Sequence, residues 1–212
     1  MTLQLDEVEV RVLGSLMEKE ITTPEYYPLS LNALVNACNQ KSNRDPVVLY
    51  DEGAVDAALA GLRAKGLAVR ISGPDMRVPK HQHRLSEFFN LGRRESAVLC
   101  VLMLRGPQTA GELRGRTERL YQFDDLAAVE ACLNRLMEWQ PEPLATSLPR
   151  QTGYKETRYA HLLAGEPRVE AAPQAVGTRE EPTAHLKAAV ENLEREVAEL
   201  KRQFSEFRKQ FE

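Results

Sequence analysis

The chain has 212 residues, 42% hydrophobic and 28% charged, which is long for one domain and comfortable for two. Its 28 Lys and Arg against 31 Asp and Glu leave a net charge of -3, which argues against a surface coated in bases for nucleic acid. No run approaches a membrane span, and the first ten residues, MTLQLDEVEV, carry acids where a signal peptide carries lysines, so a cytoplasmic protein with no membrane partner is expected.

In chain order, the first predicted helix holds Glu9, Val12, Leu13, Leu16 and Met17 in the pattern E-x-x-V-L-x-x-L-M. A second begins at Ser30, a suitable N-cap after Pro28, and carries Leu31, Leu34, Val35 and Cys38 on one stripe. A third places Val55, Ala58, Leu59 and Leu62 at the same spacing. Two strand-like segments follow, Leu67 to Ile71 and Met76 to Val78, across the turn Ser72-Gly73-Pro74-Asp75.

The pattern then recurs. Glu95, Val98, Leu99, Leu102 and Met103 repeat the first helix at an offset of 86. Thr109 and Leu113 repeat Ser30 and Leu34 at an offset of 79, and Thr109 with Glu112 forms a capping-box pattern. Val129, Cys132, Leu133 and Leu136 repeat the third helix at an offset of 74, and strands are expected at Leu144 to Leu148 and Thr157 to His161. Three ordered matches argue for an internal repeat. Three helices followed by a β-hairpin is the winged-helix plan. The expected fold is therefore mainly α with small β-hairpins (α+β): winged-helix domains at 1–90 and 91–164, a Pro/Gly/Ala/Glu-rich linker at 165–182, and a C-terminal helix at 183–212.

In that last helix Leu186, Val190, Leu193, Val197 and Leu200 continue to Phe204, Phe207 and Phe211 in alternating steps of four and three. Val at a and Leu at d suits a parallel two-stranded coiled coil, so the chain itself is an expected partner, as a homodimer. An amphipathic helix packing back on its own domains is the alternative.

Several strings resemble the YceH family, a group of bacterial proteins of uncharacterised function. They are Asn36-Ala37-Cys38-Asn39-Gln40-Lys41-Ser42-Asn43-Arg44-Asp45-Pro46, Arg77-Val78-Pro79-Lys80-His81-Gln82-His83-Arg84, and Leu148-Pro149-Arg150-Gln151 through Tyr159-Ala160-His161-Leu162-Leu163. The resemblance covers roughly residues 5 to 164 and implies a tandem winged-helix fold. It supplies no reaction, cofactor or catalytic residue.

The residues themselves give little support to an enzyme. No phosphate loop, nucleophile elbow or zinc helix is present, and no cofactor or metal is expected. Cys38, Cys100 and Cys132 lie in apolar helical patterns and read as buried thiols. His81 and His83 lack a third ligand and are expected to hydrogen-bond the first wing to the second domain.

Winged helices usually present the third helix to the DNA major groove and the wing to phosphates. Here both third helices open on acids, Asp51, Glu52 and Asp56 in one and Asp124, Asp125 and Glu130 in the other, which repel phosphate and do not suit base reading. Bases gather elsewhere. Arg114, Arg116 and Arg119 are expected in the loop after the second helix of copy two, with Arg150, Lys155 and Arg158 on its wing; these are the candidate contacts to double-stranded DNA. Asn39, Gln40, Lys41, Asn43 and Arg44 form a family-motif surface of unassigned role. The expected function is non-catalytic binding, DNA-associated, with a protein-interaction scaffold built from tandem winged helices as the alternative.

Overall fold

The computed structural model describes residues 3–74, 76–149 and 156–167. Among them the chain is α+β, with seven α-helices and two three-stranded antiparallel sheets. Helix α1, Glu7–Thr22, starts on Asp6. The Asp6 carboxylate accepts the Glu9 amide and the Glu9 carboxylate accepts the Asp6 amide, which satisfies two helix-end donors reciprocally. A 3-10 turn, Pro24–Tyr26, leads into β1, Leu29–Ser30, and Ser30 then caps α2, Leu31–Cys38. Asp51 caps α3, Glu52–Ala64, and β2, Ala68–Ile71, pairs with β3, Lys80–His83.

After the short α4, Leu85–Phe88, the order repeats. It runs α5 Arg93–Arg105, β4 Gln108–Thr109, α6 Ala110–Thr117, α7 Leu126–Met137, β5 Ala145–Ser147 and β6 Arg158–His161. The strand orders β1-β3-β2 and β4-β6-β5 match as well. Register agrees residue by residue: Ala68 faces His83 as Ala145 faces His161, and Leu29 faces His81 as Gln108 faces Tyr159. Helices α3 and α7 bury the expected stripes, Val55, Ala58, Leu59 and Leu62 in one and Val129, Cys132, Leu133 and Leu136 in the other. The three cysteines are buried thiols.

Four details differ from expectation. The strand placed at Met76 to Val78 lies instead at Lys80–His83, leaving Met76 and Val78 exposed. Pro79 has no N–H to give to a ladder, so pairing starts beyond it. Strands β1 and β4 were not foreseen; two residues are too few to show a period. Arg114 and Arg116 stand on α6 itself rather than in a loop, and Arg119 follows it. His83 does not reach the second half: its Nε2 meets Glu20 of α1 at 2.8 Å, and its backbone N–H donates to the Tyr27 hydroxyl at 2.8 Å. Nδ1 accepts the Leu85 amide, which assigns the proton of a neutral ring to Nε2. The linker from residue 168 onward, the coiled-coil positions Leu186, Val190, Leu193, Val197 and Leu200, and the wing residues Arg150 and Lys155 lie outside the described residues.

Helices α1 and α5 do not show one buried stripe. Every residue from Glu9 to Glu18 and from Glu95 to Leu104 is buried, because both helices pack centrally and against each other. They approach closely at Gly14, where a Cβ would stand 3.0 Å from Leu104 Cδ2 and 3.2 Å from Met103 Cβ. A branched side chain there has nowhere to go. Gly14→Val should therefore lower stability by about 1–3 kcal/mol through overpacking. Leu59→Ala and Leu133→Ala should each cost about 2–5 kcal/mol through cavities. Chemical denaturation of the three variants checks both figures, and a neutral Gly14→Val would refute the close crossing.

Candidate nucleic-acid interface

The loop from Asn39 to Tyr50 is held at both ends by side chains. The Asn39 amide donates to the Tyr50 carbonyl and accepts the Tyr50 amide, each at 2.8 Å, which closes the loop like a rung of a sheet. From α1, Arg11 donates to the carbonyls of Cys38 at 3.2 Å and Pro46 at 2.6 Å. Asn43 takes a left-handed conformation, φ 60°, which Asn tolerates better than branched residues do.

Arg44 is a buried residue, not a surface one. Its guanidinium donates to the Ala37 carbonyl, the Asn43 carbonyl, the Gln40 side chain and the Glu18 carboxylate. Four of the five motif positions named above thus serve the loop itself. Asn39 closes it, Gln40 and Arg44 brace it, and Asn43 turns it. Lys41 is left exposed beside Ser42.

Glu18 connects this loop to the second half. One of its oxygens accepts Arg44 Nη2 at 2.6 Å and the other accepts Arg119 Nη2 at 3.0 Å. Burial pushes the Glu18 carboxyl up, but the hydrogen bond and charge of Arg44, with Lys19 and Arg119, more than offset it and hold the carboxyl below its ordinary range. Arg105, in the last turn of α5, donates to the Asn43 side-chain oxygen, and the Asp45 amide donates to the Leu104 carbonyl at 2.9 Å. Burial and then the charges of Arg116, Arg119 and Arg44 press the Arg105 guanidinium down from its ordinary value, with Asp45 pulling the other way. The charges felt at Arg105 thus come from both halves of the chain, Arg44 in the first and Arg116 and Arg119 in the second.

Two sets of residues distant in sequence are thereby joined. The motif loop, through Asn43, and the bases Arg116 and Arg119 meet around Arg105. Arg105 was missed by sequence reasoning because an arginine in a final helical turn before Gly106 reads as a C-terminal charge and nothing more. Arg116 pairs with Glu112 at 3.2 Å on the α6 surface, and Arg114 donates to the Asp124 carbonyl at 2.9 Å. Arg158, on β6, donates to the Pro107 carbonyl. The third helices carry acids at their starts, with Asp51 and Asp125 as N-caps. Ala131, Asn134 and Arg135 on α7, with Glu138 and Trp139 just beyond its end, line an open depression of about 520 Å³, with the Arg135 guanidinium 5.3 Å from the Trp139 ring centre.

A family model described as a protein of unknown function, DUF480, matches residues 5–154. The chain belongs to this family. It is 63% identical over 209 residues to a UPF0502 protein of Solibacter usitatus, covering 99% of this chain and 98% of the relative. UPF0502 proteins of Geotalea uraniireducens and Pelobacter propionicus are each 54% identical, over the whole of both chains. The family is the one the YceH-like strings pointed to, and its function is unknown. Among the described residues no three His, Cys, Asp or Glu side chains gather as metal ligands, and no helix is long and apolar enough to cross a membrane.

The Glu18 fork makes a pH-dependent prediction. A carboxyl whose folded pKa is depressed contributes stability above its unfolded value, and that contribution is lost as pH falls through the folded value. Stability should therefore drop as pH falls below the ordinary Glu value of 4.5. Glu18→Gln, which leaves the buried Arg44 without its anion, should cost about 3–5 kcal/mol at neutral pH and flatten the acid limb. Urea melts of both proteins across the acid range measure the two effects together.

Proposed function

We propose that the chain is a non-catalytic binding protein that associates with duplex DNA through its phosphates, using a surface centred on Arg105, Lys41, Arg116 and Arg119. The observation that carries this reading is the crowding of arginines around Arg105, which concentrates positive charge on a protein of net charge -3. In the same reading the repeated order of helices and three-stranded sheet is a tandem winged helix, with domains at 1–90 and 91–164. The acids capping α3 and α7 argue for contact with the backbone rather than with base edges.

Phosphate contacts alone give weak, sequence-indifferent and strongly salt-dependent binding, with a dissociation constant of about 10⁻⁴ to 10⁻⁶ M at physiological salt. The double change Lys41→Glu with Arg116→Glu should weaken binding of a labelled duplex at least tenfold and reduce the salt slope by about 2, with little change in melting temperature. Fluorescence anisotropy over a salt series is the measurement. Wild-type protein that fails to bind at low salt and tens of micromolar concentration would remove DNA from consideration. A second variant, Arg150→Glu with Lys155→Glu, tests the contribution of the second wing.

The alternative reading, a protein-interaction scaffold, draws on the depression beside Trp139. A concave helix face with one large aromatic ring and an arginine stacked on it suits a protein partner better than a phosphate backbone. Self-association through residues 183–212 is compatible with either. If that segment forms a coiled coil, sedimentation should give a dimer for the full chain and a monomer for the chain ending near residue 170. The double change Leu193→Glu with Leu200→Glu should act like the truncation.

A further inference from the structure

A second cluster of charge lies in the first half, away from the arginine junction. Arg70 on β2 and His81 on β3 are direct cross-strand partners, so their side chains stand on one face of the sheet. Arg63, in the last turn of α3, acts on His81 from the helix packed against that sheet. His81 is only 4% exposed, yet its Nδ1 has no hydrogen-bond partner among the described residues, and neither has the buried Nη1 of Arg63. Arg70 likewise has no carboxylate partner there, and it is exposed at the edge of the group. Buried polar atoms are rarely left unpaired, since each forgoes a hydrogen bond it makes in water.

The repeat shows that the fold does not need this cluster. The register places Ser147 opposite Tyr159 where the first half has Arg70 opposite His81. The helix offset of 74 places Met137 where the first half has Arg63. The second half thus builds the same sheet and helix with no ionisable cation at any of the three positions. Charge at these places in the first half calls for an explanation other than folding.

We propose that Arg63, Arg70 and His81 form a binding site for a phosphate dianion, free or as the terminal monoester of a small molecule. Three donors approach from three elements, which suits a tetrahedral acceptor with at least three free oxygens better than a two-oxygen carboxylate. Two guanidinium groups favour a dianion. His81 Nδ1 and Arg63 Nη1 are covered while Arg70 is exposed, so a ligand must part the covering beside Arg70 to reach them, which a small terminal group can do and the continuous backbone of a duplex cannot. Burial and the charges of Arg63 and Arg70 hold His81 below its ordinary pKa, so the ring is neutral and can still donate from Nδ1; the Asp56 carboxylate pulls the other way and is the smallest influence. This site is independent of the DNA reading and survives its failure.

The test is an NMR titration of the imidazole nitrogens in the full chain, with inorganic phosphate and glycerol 3-phosphate as probes in a chloride background. Either probe should shift the His81 Nδ1 resonance saturably while His83, whose nitrogens are already engaged, stays fixed. Arg70→Gln, an exposed change that leaves the fold intact, and Arg63→Gln should each raise the dissociation constant about tenfold or more, through loss of a charge-assisted hydrogen bond. Arg63→Lys should recover part of the affinity. Absence of a saturable shift up to tens of millimolar of both probes would overturn the site. So would wild-type affinity for both probes in the two Gln variants, or a shift produced by duplex DNA and by neither probe.

Discussion

The close approach of α1 and α5 governs the arrangement of the rest. Gly14 and Cys100 occupy equivalent positions of the two repeats, and they meet at the crossing, where the Cys100 thiol donates to the Gly14 carbonyl at 3.5 Å. A Cβ at Gly14 would press on Leu104 and Met103 of α5, so the close approach depends on the missing side chain there. The remaining elements attach to this pair through acids at matching places. Glu9 of α1 accepts Lys65 beyond α3, and Glu95 of α5 accepts Arg135 of α7 at 3.1 Å. The glutamate of the E-x-x-V-L-x-x-L-M pattern is thus a clamp between the first and third helices of each half. Its recurrence reflects the same helix-to-helix contact made in each half.

The same logic divides the motif loop. A guanidinium taken out of water needs its acceptors nearby, and Arg44, with a fully buried side chain, has four of them. Such a residue cannot also meet a ligand without leaving its partners. Arg119 is different: its side chain is 53% exposed, so its bond to Glu18 contributes little to stability and its charge remains felt at the surface. Glu18 therefore joins an obligatory arginine to an available one. Loop geometry and surface charge are coupled through that single carboxylate.

Much of the fold was legible because it rests on local chemistry. The caps Ser30 and Thr109 and the stripes around Leu59 and Leu133 are read from a few neighbouring residues and stand as expected, whereas Asp51 and Asp125, read only as acids opening the third helices, prove to be N-caps. The hairpin of the first half failed at Met76 to Val78 because apolar character outweighed the missing N–H of Pro79. Candidate site residues were harder, since their surroundings are set by contacts between distant parts of the chain. Nothing near Arg44 in sequence announces Glu18, twenty-six residues earlier. Nothing near His81 announces Arg63 on a different element. Arg105 became visible only when Asn43 was brought to it.

Loop length accounts for where the bases lie. In the first half the long connection between α2 and α3, residues 39 to 51, folds back over α2, and Ala37 and Cys38 beneath it are buried. In the second half the shorter connection, residues 118 to 125, leaves more of α6 open to solvent. Positions equivalent to Val35 and Ala37 of α2 are Arg114 and Arg116 there, and both are at least partly exposed. A covered helix must be apolar, whereas an uncovered one can carry charge at little cost. The covering loop of one half and the uncovered helix of the other then meet beside the α1–α5 crossing. The positive surface is in this sense a product of the repeat having diverged, since α6 carries Arg114 and Arg116 where α2 carries the half-buried Val35 and the buried Ala37.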